Sequence, residues 1–216
     1  MKDIPFFTTD YGVAGLILKE VPYKKEAYIR ILEAQPGFLP ELLKECVEFC
    51  TMAGAERIYA AGHEELQTYP LHTAILEMRG TAWVDREKLA NLFPVTEPTV
   101  SRWRAFHNQR MAHVSNGGTL DMGDENEILT KGGAYFIHDN GKLLGIGWME
   151  DCHLLVVAAN PGAGERVMHT LMSLVEGDQM VLEVASTNAR AIRLYERLGF
   201  LKTAEVSRWY CVKDGL

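Results

Sequence analysis

The twenty residues Val181–Phe200, VLEVASTNARAIRLYERLGF, decide the fold. They open as an apolar strand, Val181–Val184, break at the polar Ala185–Thr187, and continue as a short helix that Gly199 stops. Asn188 stands at the N-cap, where an amide oxygen can accept a free backbone N–H. Gly199 suits the left-handed residue after the last turn, and Phe200 can fold back onto that turn. Asn188 and Tyr195 are seven residues apart, two helical turns, so they share one side of the helix. That side points at the C-terminal end of the strand, the end at which open α/β sheets bind ligands. Taken as residues alone, the run is also compatible with a capped helix carrying a half-buried tyrosine.

The run resembles the second motif of the GCN5-related N-acetyltransferases, a strand followed by Asn-x-x-Ala-x-x-Leu-Tyr-x-x-x-Gly-Phe. Asn188, Ala191, Leu194, Tyr195, Gly199 and Phe200 fill its positions. The resemblance implies an acyl-CoA N-acyltransferase fold: mixed α/β, with a largely antiparallel sheet, flanking helices and a V-shaped split for the coenzyme. It implies that Asn188, with Ala191, contacts the coenzyme A arm and that Tyr195 protonates the departing thiolate. It also implies a glycine-rich turn upstream, of the form Gln/Arg-x-x-Gly-x-Gly/Ala, whose backbone N–H groups and helix dipole receive the pyrophosphate.

The chain offers NPGAGERVM at Asn160–Met168 for that turn. Gly162 and Gly164 permit close backbone approach, but the loop is one residue short after Pro161. Arg166 and Met168 stand where small residues are usual. The coenzyme-binding set implied is Val157, Ala158 and Ala159 from the preceding strand, then Gly162, Ala163, Gly164, Glu165, Arg166, Val167 and Met168. Arg166 is expected to pair with a phosphate, since guanidinium matches phosphate geometry. Backbone groups near Val157–Ala159 would orient a thioester and polarise its carbonyl. Tyr195 is a sensible acid. Glu150, at the end of a strand and followed by Asp151, is the expected base; a solvated acidic turn is the other reading of that pair.

The chain of 216 residues can hold one large domain or two small ones. Its net charge of -7 argues against a nucleic-acid partner. No apolar run approaches the roughly 20 residues that span a bilayer, and Met1–Tyr11 lacks a signal-peptide core, so the cytoplasm is the expected location. Cys46, Cys50, Cys152 and Cys211 are expected to be reduced thiols. No histidine lies at a metal-ligand spacing, and no metal is expected.

Element order recurs along the chain. Strands Val13–Glu20 and Glu26–Glu33, Pro36-Gly37, helix Leu39–Met52 and strands Arg57–Ala61 and Thr73–Met78 are echoed by strands Lys142–Met149 and His153–Ala159, Pro161-Gly162, helix Glu165–Val175 and strands Met180–Ala185 and Ser207–Val212. The first copy lacks the Asn-to-Tyr helix, because Gly62–Pro70 is short, polar and ends in proline. The domains expected are therefore a degenerate half-domain, 1–80, and a complete acetyltransferase-like domain, 81–216. Between the copies, Lys88–Pro94 is expected as a strand, Val100, Trp103, Phe106 and Arg110 as one face of a helix, and Ser115–Thr130 as a polar loop with an acidic run. Asn140-Gly141 signals a type I′ hairpin. The expected function is transfer of an acetyl group from acetyl-CoA to a primary amine of a small molecule or protein. A non-catalytic acyl-CoA sensing module is the alternative, and a homodimer through the first half is a third reading.

Overall fold

The computed structural model describes residues 5–215, so the extreme ends of the two expected domains lie outside it. In chain order its first elements are β1 (Phe6–Thr9), β2 (Gly12–Ile17), α1 (Val21–Lys24), β3 (Glu26–Ala34), α2 (Leu39–Met52), β4 (Arg57–Ala61) and β5 (Leu71–Thr81). Then come β6 (Asn91–Pro94), α3 (Val100–Met111), α4 (Met122–Lys131), β7 (Ala134–Asp139) and β8 (Lys142–Glu150). Last are β9 (His153–Ala159), α5 (Gly164–Met172), β10 (Gln179–Ala185), α6 (Ala189–Arg197) and β11 (Leu201–Lys213). They form two compact units, Met1–Ala74 with Val206–Leu216, and Ile75–Glu205. The expected division at 80/81 falls inside β5. The tail 206–216, expected in the second domain, is part of the first unit because Tyr210 and Cys211 of β11 pair with Ala60 and Tyr59 of β4.

In the first unit the strand order is β1-β2-β3-β4-β11. β3 and β4 run parallel from Glu26↔Arg57 to Arg30↔Ala61, with α2 as the crossover. Leu39, Leu42, Leu43, Cys46 and Cys50 recur at helical spacing and form the buried face of α2. They share a core with Ile29, Ile31 and Ile58. Cys46 and Cys50 are free, and burial pushes their thiols up to about 12 and about 11. They are inert packing groups at neutral pH.

The second unit has the order β5-β10-β9-β8-β7-β6. β5 and β10 are antiparallel from Ile75↔Ala185 to Thr81↔Gln179. β7, β8 and β9 form an antiparallel meander whose first turn has Asn140 at φ 48° and Gly141 at φ 76°, as the Asn-Gly pair requires. Gly147 lets α5 lie close on this sheet, since a Cβ there would sit 2.4 Å from Leu171 Cδ2. Three local expectations change. The strand expected over 88–94 is confined to β6, because Arg86–Lys88 forms a 3₁₀ turn capped by Asp85. The acidic run expected as loop is the first turn of α4. There Asp121 accepts from the N–H groups of Gly123 and Asp124, Asp124 accepts from the Asp121 N–H, and Ile128 is buried. The last strand, expected over Ser207–Val212, begins at Leu201.

Candidate functional site

Among the described residues β9 and β10 pair in parallel at two positions, Val181↔His153 and Leu182↔Leu154, and then separate. The β8–β9 register shifts between Trp148↔Val156 and Met149↔Leu154, leaving Leu155 as an extra residue that bends the strand at this point. Asn160 N–H bonds to the Leu144 carbonyl, so the Ile146/Ala158 and Trp148/Val156 pairs carry the ladder bonds to β8. By alternation, the N–H and C=O groups of Val157 and Ala159 lie on the other edge, where β10 has departed.

α6 closes the opening. Asn188 caps it, its Oδ1 accepting from Ala191 N–H at 3.2 Å. Phe200 folds back beside Tyr195, with ring centroids 5.9 Å apart. Tyr195 is 6% exposed, and burial pushes its phenol up to about 12, so the hydroxyl stays protonated at neutral pH. The N-terminus of α5 faces the same opening. Its N-cap, Ala163, supplies no side-chain cap, and Gly162 takes φ 84° to make the turn. Gly164 lets α6 pack close, since a Cβ there would lie 2.9 Å from Leu194 Cδ2.

Two cavities meet at this split. One, of about 440 Å³, lies over the glycine turn and α6. The other, of about 210 Å³, lies between β9, β10 and the 115–118 segment after α3. Met111, Val114, Val157, Asn188 and Tyr195 line both. The larger lobe is cationic, with Arg110, Arg190 and Arg197 on its wall. Its one carboxylate, Glu165, is bonded to Lys88 at 2.5 Å, which holds it below the usual carboxylate range. Arg110 bonds Asn160 Oδ1 and lies 5.2 Å over the Phe106 ring, and its buried Nε has no partner. The smaller lobe carries Glu183, His107 and Asn116 and no lysine or arginine.

Of the expected coenzyme set, Val157, Ala158 and Ala159 line the larger lobe, as do Gly162, Gly164, Glu165 and Met168. Asn188, Ala191 and Tyr195 join them. Ala163, Arg166 and Val167 do not. Ala163 and Val167 point into the core beneath the turn. Arg166 turns away to Asp139, at 2.7 Å, and to the carbonyl groups of Lys88 and Leu89. It is a tie between α5 and the rest of the unit, not a free cation for a phosphate. Glu150 also lies outside both lobes, at the β8–β9 turn, with Lys131 3.6 Å away. Its ladder partner His153 adjoins Leu154 and Leu155, which line the smaller lobe, but Glu150 itself lines neither lobe. Arg190 and Arg197 were missed, although their seven-residue spacing is the same signal that joins Asn188 to Tyr195. Arg110, His107 and Asn116 come from elsewhere in the chain, and nothing local marks them.

Among the described residues there is no group of three or more His, Cys, Asp or Glu side chains placed to hold a metal, and no helix long and apolar enough to cross a membrane. No protein-family model and no curated protein matches the sequence. Solved structures do match. A functionally unknown conserved protein from Staphylococcus epidermidis is similar at TM-score 0.60 and 12% identity, with 99% of this chain and 95% of that one covered. A GCN5-related N-acetyltransferase from Kribbella flavida is similar at TM-score 0.64 and 11% identity, over 95% of this chain and 58% of that one. A GNAT-family acetyltransferase from Colwellia psychrerythraea is similar at 0.54 and 13%, over 95% and 84%. The chain therefore has the mixed α/β acyl-CoA N-acyltransferase fold that its 181–200 motif resembles.

Proposed function

We propose that the 75–205 unit is an N-acetyltransferase, moving an acetyl group from acetyl-CoA directly to a primary amine. The observation that carries this reading is the pair of lobes joined at Val157, Asn188 and Tyr195. A two-substrate transfer needs two compartments that meet at the reacting atoms. The larger lobe fits the coenzyme. The uncapped first turn of α5 offers N–H groups to a pyrophosphate, and Arg190 and Arg197 add positive charge nearby. Acetyl-CoA supplies the acyl group already activated as a thioester.

The protein's own groups then do three things. The Val157 N–H, on the open edge of β9, donates to the carbonyl oxygen as charge develops on it. The Tyr195 hydroxyl donates to the departing sulfur. The amine, arriving as an ammonium in the smaller lobe, must lose a proton. His107 is the imidazole on that wall, buried and with Nδ1 3.2 Å from Asn108 Oδ1. It takes the role that the sequence alone pointed to for Glu150.

Calorimetry with acetyl-CoA, run beside a thiol-release assay on a panel of primary amines, tests the proposal. Saturable binding together with amine-dependent thiol release supports transfer. Binding with no turnover of any amine would favour the sensing module.

A further inference from the structure

Resting on the transfer reading, we infer that Asn108 is a positioning residue for the reaction: it holds the proton of neutral His107 on Nδ1, so that Nε2 is the ring atom that deprotonates the ammonium. The deduction starts at the backbone of Leu120. Leu120 N–H donates to Asn108 Oδ1 at 2.9 Å, and the Leu120 carbonyl accepts from Asn108 Nδ2 at 2.8 Å. A backbone N–H can only donate and a carbonyl can only accept, so the two bonds together fix which end of the amide is oxygen. That oxygen lies 3.2 Å from His107 Nδ1. An amide oxygen has two lone pairs and no proton to give, so its bond to the ring exists only with the hydrogen on Nδ1. In the neutral ring the lone pair is then on Nε2.

The surroundings hold this arrangement in place. Leu120 is followed by Asp121, the N-cap of α4, whose side chain accepts from the Gly123 and Asp124 N–H groups, so the backbone that orients Asn108 is itself anchored. Arg104, one turn before Asn108 on α3, pairs with Glu125 of α4 at 2.6 Å. On the ring side, His107 is 5% exposed and lies parallel to Trp103, whose indole N–H donates to the Tyr135 carbonyl at 3.0 Å. His107 lines the smaller lobe, whereas Asn108 lines neither. The same amide closes the chain from 109 to 119, of which residues 115–118 form a wall of that lobe. One side chain thus shapes the wall and orients the base. In the proton step an ammonium N–H bond breaks and the nitrogen keeps the electron pair for attack on the thioester. His107 becomes an imidazolium until it releases the proton to water.

Nitrogen-15 NMR of the labelled histidines at about pH 9, where an imidazole is neutral, reads the tautomer directly, the His107 signal being the one lost in His107→Gln. Histidine in water favours the proton on Nε2, so the Nδ1–H form expected in the wild type is diagnostic. Asn108→Ala removes the acceptor and should return the proton to Nε2. Its kcat should fall about 10²-fold, the lower end for a general base, with the KM for acetyl-CoA within about twofold. Asn108→Asp keeps an oxygen for Nδ1 and for the Leu120 N–H but gives up the bond to the Leu120 carbonyl. It should keep the Nδ1–H form and, as a conservative rescue, a kcat within about tenfold of the wild type. A role confined to clasping the 109–119 segment would leave the two variants equally slow with an unchanged tautomer. That outcome, a wild-type ring protonated on Nε2, or Nδ1–H retained in Asn108→Ala would each overturn the inference. If Asn108→Ala does not fold, the wild-type spectrum and Asn108→Asp decide by the same signs. If acetyl-CoA binds but no amine is acetylated, or His107→Gln turns over as fast as the wild type, the transfer reading or its base fails by itself. The spectra then still decide whether Asn108 sets the tautomer.

Discussion

In the first unit β3 and β4 stay paired from Glu26↔Arg57 to Arg30↔Ala61, where β4 ends, and the parallel ladder is never opened. In the second, β9 and β10 share two positions and part at Leu154↔Leu182. Both pairs have the same strand–helix–strand order, with a Pro-Gly junction before the helix. They differ beyond the second strand. After β10, Asn188 starts a two-turn helix whose Tyr195 fills the gap. After β4 come Gly62, a 3₁₀ turn over Glu64–Thr68 and Pro70. A groove of about 490 Å³ does lie where β4 stops, beside Arg30, His63 and Arg208, with His63 capping the 3₁₀ turn and Tyr210 of β11 on its wall, but no α-helix lines it with a cap and a phenol on one face. A parallel pair that stays hydrogen-bonded to its end offers no free backbone donors. One that splays does, and needs something to occupy the split. On this comparison we propose that the first unit is a non-catalytic copy of part of the second.

The largest expected effect lies at the open pair. Tyr195→Phe keeps the ring packed beside Phe200 and removes the proton, so kcat should fall about 10²–10⁴-fold, with acetyl-CoA affinity and Tm little changed. The corresponding change in the closed pair is Tyr59→Phe in β4, which should leave kcat within about twofold of the wild type. Full turnover by Tyr195→Phe would mean that another group protonates the sulfur.

Core truncations compare the two units as folded bodies. Leu42→Ala in α2 and Leu171→Ala in α5 each remove a fully buried side chain, at a cost of about 2–5 kcal/mol. Denaturant unfolding followed by fluorescence, with Trp209 alone reporting on the first unit and Trp83, Trp103 and Trp148 on the second in complementary Trp→Phe backgrounds, reports whether the loss stays in the mutated unit. Coincident transitions in both variants would show that the units unfold together.

Coenzyme stoichiometry sharpens the contrast. Calorimetry should give one acetyl-CoA per chain, and a second equivalent site would break the distinction between the two pairs. Arg197→Ala should weaken that binding by roughly 3–10-fold, more at low salt than at high, because the charge is solvent-exposed. Arg166→Ala should leave affinity unchanged and lower Tm, since its guanidinium is committed to Asp139.

The smallest effect is on pH dependence. Burial lowers the pKa of a histidine in each unit: His72, stacked on Tyr59, in the first, and His169, whose Nδ1 accepts the Asp85 N–H, in the second. The unfolded imidazole takes up its proton near pH 6.5, earlier than the folded one. The folded state is thus favoured above pH 6.5 and loses that advantage as pH falls through the lowered values. Tm should decline between pH 7.5 and 5.5, and His169→Gln should flatten the part of the decline that belongs to the second unit.

What the sequence determined by itself was whatever depends on neighbours along the chain. Asn188 had to cap, Gly199 had to end the helix, and Tyr195 had to face the same way as Asn188, because helical geometry fixes these within a few turns. Asn140-Gly141 had to turn, because few other residues accept two consecutive positive φ angles. The fold followed from such signals placed in order. Arg166 and Glu150 show where that logic stops. Both are charged residues at promising positions, yet where each points depends on a partner far away in sequence, Asp139 for one and Lys131 for the other. The α4 helix hid in the same way, its acidic first turn looking like loop until the Asp121–Asp124 caps and the burial of Ile128 were in place. Above all, the opening between β9 and β10 is a property of two strands and the helix wedged beside them. Hydrogen-bond pairing across a sheet is chosen by tertiary packing, so only the folded chain could decide that one parallel pair closes and the other opens into a site.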